Sequence, residues 1–179
     1  KILDKKALED VALGVKYHNK YEVDSKYINN NFIKMIRDCD KLDILRAIGE
    51  DRFIENTKIP EHEDTRKEFY KDTLVKYQEY FNCSDYIILY YSYIYDVNYK
   101  EIMKVIYKEK LIDKITKVLK LEDRYKDLVV YADKYMKKTI RMGDLAHPEA
   151  LKEKISDIVE WKNLTIQGGY GHKAIDTDE

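Results

Sequence analysis

Apolar residues recur three and four positions apart along nearly the whole chain, and only two prolines interrupt them. That spacing is the period of an amphipathic α-helix, and no stretch shows a two-residue alternation strong enough to compete with it. The sequence therefore predicts an all-α protein, a compact bundle of about six to seven helices. The first is expected over 5 to 17 or 18, with Ala7, Leu8, Val11, Gly14, Val15 and His18 on its inward face. A polar turn follows, in which Asp24 or Ser25 is placed to cap a long helix over 26–48 that Gly49 would end. A polar loop over 51–64 carries Pro60. Helices are then expected over 65–80, 85–97 (capped by Ser84), 99–119 and 124–142, the last ending at Gly143. Pro148 suits the first position of a final helix over 148–164. The pattern implies one domain over 1–165 and a flexible, glycine-containing tail over 166–179.

Charge excludes several function classes. Lys and Arg number 33 against 34 Asp and Glu, a net charge of −1, so neither a strongly basic binder of polymeric nucleic acid nor a polybasic membrane tether is expected. The longest apolar run, 86–95, is half tyrosine and spans about ten residues where a membrane helix needs about 20. Two cysteines without paired spacing make no disulfide framework, which points to a cytoplasmic setting. No GxGxxG, GxxxxGK[ST], HExxH or CxxC motif occurs.

The segment 33–48 carries the most information. On a helical wheel Ile33, Ile36, Asp40, Ile44 and Ala47 share one stripe, so Asp40 is expected in the middle of an apolar face. A carboxylate pressed into a core is costly unless it is paired, protonated or metal-bound. Two readings are open: an ion pair or hydrogen bond, with Arg37, Lys16 or Lys41 as candidate partners, or a metal or catalytic carboxylate. Asp38 falls about 160° from Asp40 on the wheel, so the two cannot clamp one ion; Asp38 and Lys41 are expected in solvent. His18 ends the apolar stripe of the first helix. A short loop should set the first two helices antiparallel and bring His18 and Asp40 together, as half of a divalent-metal site or as a satisfied core pair.

At this point a resemblance is visible. "VALGVKYHNKYEV" followed by "IRDCDKLDIL" resembles the second half of an HD-domain protein, a superfamily of metal-dependent phosphohydrolases, and the likeness extends through "CSDYIILYYSYIYDVNYKEIMKVIYKEKLIDKI". It is strongest over 36–45 and absent from the last third. The resemblance implies an all-helical fold, Asp40 as the last metal-ligating aspartate, His18 as a second-metal or phosphate ligand, and Lys41 as a residue facing substrate phosphate. It implies hydrolysis of a soluble phosphate ester or nucleotide by a metal-activated water, with Mn, Mg, Fe or Ni as the ion. The family's earlier His and adjacent His-Asp pair have no counterpart here. With Lys1 as first residue, the expectation is that those ligands lie upstream, and that this chain alone binds metal weakly and turns over little. The alternative is a non-catalytic helical interaction module or a degenerate HD remnant.

Other residues have plainer expectations. His62, among Glu61, Glu63 and Asp64, reads as a solvated loop residue or a metal trap; His147 and His172 carry no assigned role. Cys39 and Cys83 read as small core fillers. Asp96 is expected to cap the following helix, with a site role as the other option. Tyr90, Tyr91, Tyr93 and Tyr95 read as core, or as a base-stacking surface.

Overall fold

A computed structural model describes residues 5–50 and 57–142. The described residues are helical without strands, as the periodicity predicts: α1 Lys5–Tyr17, α2 Asn31–Gly49, α3 Glu63–Phe69, α4 Cys83–Tyr91, α5 Lys100–Lys108, α6 Leu111–Val118 and α7 Glu122–Arg141. Short 3-10 turns lie at Ser25–Tyr27 and Ser92–Asp96. They form a compact bundle, all within one unit bounded by residues 1 and 146. The helix expected over 148–164, the Gly143 stop, His147, His172, the tail and the boundary at 165 lie outside the described residues.

Helix α2 is the axis. It packs against α1 on one side and against α4, α5 and α6 on the other. Leu42, Leu45 and Ile48 enter a core shared with Ile87, Ile88, Met103, Ile106, Ile115 and Leu128. The stripe through Ile36, Asp40, Ile44 and Ala47 is only half-buried. The wheel thus picked the shallower of two apolar faces. A helix sandwiched between neighbours is apolar on both sides, and periodicity alone does not rank the two.

Several boundaries differ from expectation for local reasons. Asn30, not Asp24 or Ser25, caps α2: its side chain accepts from the N–H groups of Phe32 (2.9 Å) and Ile33 (3.0 Å). Asp24 instead accepts from the Tyr17 hydroxyl. Asn82, not Ser84, caps α4 in a reciprocal capping box with Asp85. Ser84 is buried and donates to the Ile59 carbonyl. The helix expected over 65–80 stops at Phe69; Asp72 adopts φ 56° and the chain turns extended. That extended segment is anchored by buried Val75, whose N–H donates to Ser92 Oγ at 2.9 Å. The helix expected over 99–119 breaks at Lys110, φ 53°. On an unbroken helix Leu111, Ile112 and Ile115 would point to the side opposite Met103 and Ile106. The left-handed residue re-aims the chain so that all five are buried.

Helix α1 also differs. Its packing face is Leu13, Gly14 and Tyr17, while Leu8, Val11 and Val15 are exposed. Gly14 is required by close approach: a Cβ there would sit 2.9 Å from the Phe32 ring. No helix among the described residues is long and apolar enough to cross a membrane.

Candidate functional site

The direction of α1 relative to α2 decides what meets. Asn30 donates to Asp10 at 3.2 Å, Gly14 abuts Phe32 and Ile36, and Arg37 donates to the Tyr17 carbonyl at 2.9 Å. Both residue numbers rise together along the contact. The two helices therefore run in the same sense, and residues 18–30 travel back between them. This corrects the antiparallel hairpin expected from a short loop. The connection is long enough to reverse, and Arg37 holds its start.

Arg37 is 5% exposed. One Nη1 serves the carbonyls of both Tyr17 and Lys20, which flank His18. The guanidinium fork thereby fixes the turn that carries the histidine. His18 Nδ1 lies 2.7 Å from the Val15 carbonyl. A carbonyl only accepts, so Nδ1 carries a proton, and Nε2 is the ring nitrogen left for another partner.

Asp40 is one turn beyond Arg37 on α2. His18 lies within its electrostatic reach and favours its charged form, as do Lys41 and Arg37. Burial is the larger influence and pushes the Asp40 carboxyl above its ordinary value of 3.8, with Asp43 adding to the rise. Asp40 is half-buried, and among the described residues no hydrogen bond or ion pair is made to its carboxylate. Among the described residues no hydrogen bond or ion pair joins His18 to Asp40; the two lie within electrostatic range of each other, through a topology other than the one expected.

The fully buried carboxylate of α2 is Asp38, at 0% exposure, and not Asp40. This corrects its assignment to solvent. Asp38 accepts from the Asn98 N–H at 3.0 and 2.9 Å, from Asn98 Nδ2 at 2.8 Å and from the Tyr99 N–H at 2.8 Å. It holds the two residues that lead into α5 from 60 and 61 residues away in sequence; Asp96, expected to cap that helix, makes no cap hydrogen bond to it. Lys41 is also buried, at 5% exposure, which corrects its placement in solvent too. Its Nζ lies 2.7 Å from Asp96 Oδ2, the oxygen that Arg37 Nη2 also contacts at 2.7 Å. Asp96, 31% exposed, is therefore the shared counter-ion of two buried cations. A lysine so engaged faces this carboxylate.

Beside this cluster opens a cleft of about 400 Å³. Arg37, Asp96 and Asn98 supply polar lining, Lys34 and Glu22 add charges, and Tyr21, Tyr27 and Ile33 add apolar surface.

His62 is a pinned residue. Its N–H and Nδ1 both meet buried Asp85, at 2.8 and 2.7 Å, tying the start of α3 to the start of α4. Tyr91 is buried and Tyr90, Tyr93 and Tyr95 pack against the core, as their spacing predicts. Cys39 and Cys83 are half-buried thiols outside any disulfide.

Asp40 and His18 offer an oxygen and an imidazole nitrogen, a donor pair suited to Mn, Fe, Ni or Mg. Two donors are a minor part of a coordination sphere that wants about six ligands. Among the described residues no three His, Cys, Asp or Glu side chains gather closely enough to hold a metal ion. In comparisons with protein-family models, curated proteins and solved structures, nothing matches this chain.

Proposed function

We propose that this chain carries part of an HD-type metal-dependent phosphohydrolase site, acting on a soluble phosphate ester or nucleotide in the cytoplasm. One observation supports the reading: Asp40 is half-buried, accepts no hydrogen bond among the described residues and lies within electrostatic range of His18, whose Nδ1 donates to the Val15 carbonyl at 2.7 Å. In this reading Asp40 and His18 bind the ion, the Val15 carbonyl orients the imidazole, and Arg37 positions the turn that bears it. Bound metal would supply a water of lowered pKa and polarise a phosphoryl oxygen. Lys41 could reach a phosphate only by leaving Asp96, so its part here is to neutralise that acid. Two donors make a weak site, and full activity needs further ligands.

Mn²⁺ titration of the whole chain, followed by paramagnetic broadening of the His18 ring protons, tests this. Selective broadening that disappears in Asp40→Ala is expected, with weak affinity. Absence of broadening, or broadening that survives the substitution, overturns it. The second reading, a non-catalytic helical interaction module, is favoured by the lack of a three-donor cluster among the described residues. It is the reading that remains if the titration fails.

A further inference from the structure

The cleft beside Arg37 has a polarity that the metal reading does not use. Both buried cations converge on Asp96 Oδ2, while the Asp96 side chain stays 31% exposed and lines the cleft. It thus has acceptor capacity left for an incoming group. Asn98 lines the same cleft. Its Nδ2 donates to Asp38 at 2.8 Å, and a carboxylate can only accept from it, so the amide orientation is settled chemically and Oδ1 is the polar atom remaining. Two acceptor-bearing side chains, two positions apart in the chain, therefore line the same cleft. Tyr21 and Tyr27 supply ring surface, and Lys34, which forms no ion pair among the described residues, supplies a cation. A volume of about 400 Å³ is in the range of small-ligand sites.

We infer that this cleft binds a planar nitrogen heterocycle presenting two adjacent N–H donors, stacked on tyrosine and carrying an anionic substituent toward Lys34. Among nucleobases the N1–H and exocyclic amino edge of guanine has that donor pair. Adenine and hypoxanthine lack it. A site whose acceptors are arranged for donors discriminates strongly against an analogue that leaves them unpaired. The inference does not rest on the metal reading, because the probe is bound with divalent ions removed.

The test is calorimetric titration of the full chain with guanosine, inosine and adenosine 5′-monophosphates and ribose 5-phosphate, all in excess chelator. Saturable one-to-one binding of the guanine nucleotide, at least tenfold tighter than the others, is expected. Tyr21→Ala, whose side chain is exposed, donates to the Leu74 carbonyl and has Lys76 over one ring face at 5.6 Å, should weaken binding fivefold or more with the helical circular dichroism unchanged. Asp96→Asn should erase the preference over inosine monophosphate. Equal affinity for all three nucleotides, binding matched by ribose 5-phosphate, no saturable binding, or indifference to Tyr21→Ala overturns the inference. Because Asp96→Asn also disturbs two buried cations, Tyr21→Ala decides the matter should that variant fail to fold.

Discussion

Asp38 and Asp40 stand two residues apart on one helix and meet opposite surroundings. Asp38 faces the α5 start, has no exposure, and receives hydrogen bonds from two backbone N–H groups and one amide. Asp40 is half-buried and is approached by charges, without a hydrogen bond among the described residues. The pair shows that depth does not mark the chemically available acid. A fully buried carboxylate survives by being saturated, and saturation consumes the oxygens a metal or a substrate would need. The candidate for chemistry is the shallower group, whose oxygens are uncommitted among the described residues.

The sharpest way to break this contrast is to remove each acid in turn. Asp38→Ala should cost about 3 kcal/mol or more, because it strands buried donors at the α5 cap. Asp40→Ala should change stability by less than about 0.5 kcal/mol, as surface-like positions do. Urea unfolding of both variants measures this, and comparable losses would erase the distinction.

Arg37→Met is next in size. It removes the tie to the carbonyls around His18 and half of the Asp96 pairing, for about 2 kcal/mol. It should also abolish Mn²⁺ broadening at His18 with Asp40 intact. Lys41→Met leaves Arg37 on Asp96 and should be close to neutral, so a loss matching that of Arg37→Met would assign the clamp to charge and not to the carbonyl contacts.

Acid titration sharpens the comparison further. Burial works to raise the Asp85 carboxyl, but the N–H groups of Asn82 and His62 outweigh it and hold the group below 3.8. Stability from Asp85 is present above its unfolded value and is lost as pH falls through the lower folded value. Asp40 has the reverse sign: its folded value is raised, so stability falls as pH rises through the interval just above 3.8. Thermal melts from pH 3 to 7 should therefore show Asp85→Asn flattening the acid limb, and Asp40→Asn removing a small loss on the other side.

The smallest effect expected is a gain. Lys110 and Lys120 both hold left-handed backbone, and glycine at either should stabilise by about 0.5–1 kcal/mol. A loss at Lys110 would mean that its side chain contributes more than the conformation costs.

Much of this was legible in the residues. Helical spacing established the class, the extent of α1 and α7, and the segment holding Asp40. The split between α5 and α6 was missed, although Met103 and Ile106 fall out of phase with Leu111 and Ile115. No glycine marks the break, since a lysine occupies the left-handed position. The burial of Asp38 was not readable. Its partners are backbone N–H groups 60 and 61 residues away, and a wheel scores side chains alone. The reversal between α1 and α2 was hidden for a related reason: the ties that set it run to carbonyls, which every residue possesses.

Running α1 alongside α2 in one sense has a dynamic consequence. Only Gly14 and Tyr17 of α1 are buried, so this helix contributes little to the main core and is weakly protected. Its amides should exchange with solvent through local detachment, well before those of α4 to α7. His18 leaves with it while Asp40 stays on the axis. The two donors thus sit on opposite sides of an opening event, and whatever bridges them would be read out as slowed amide exchange along α1.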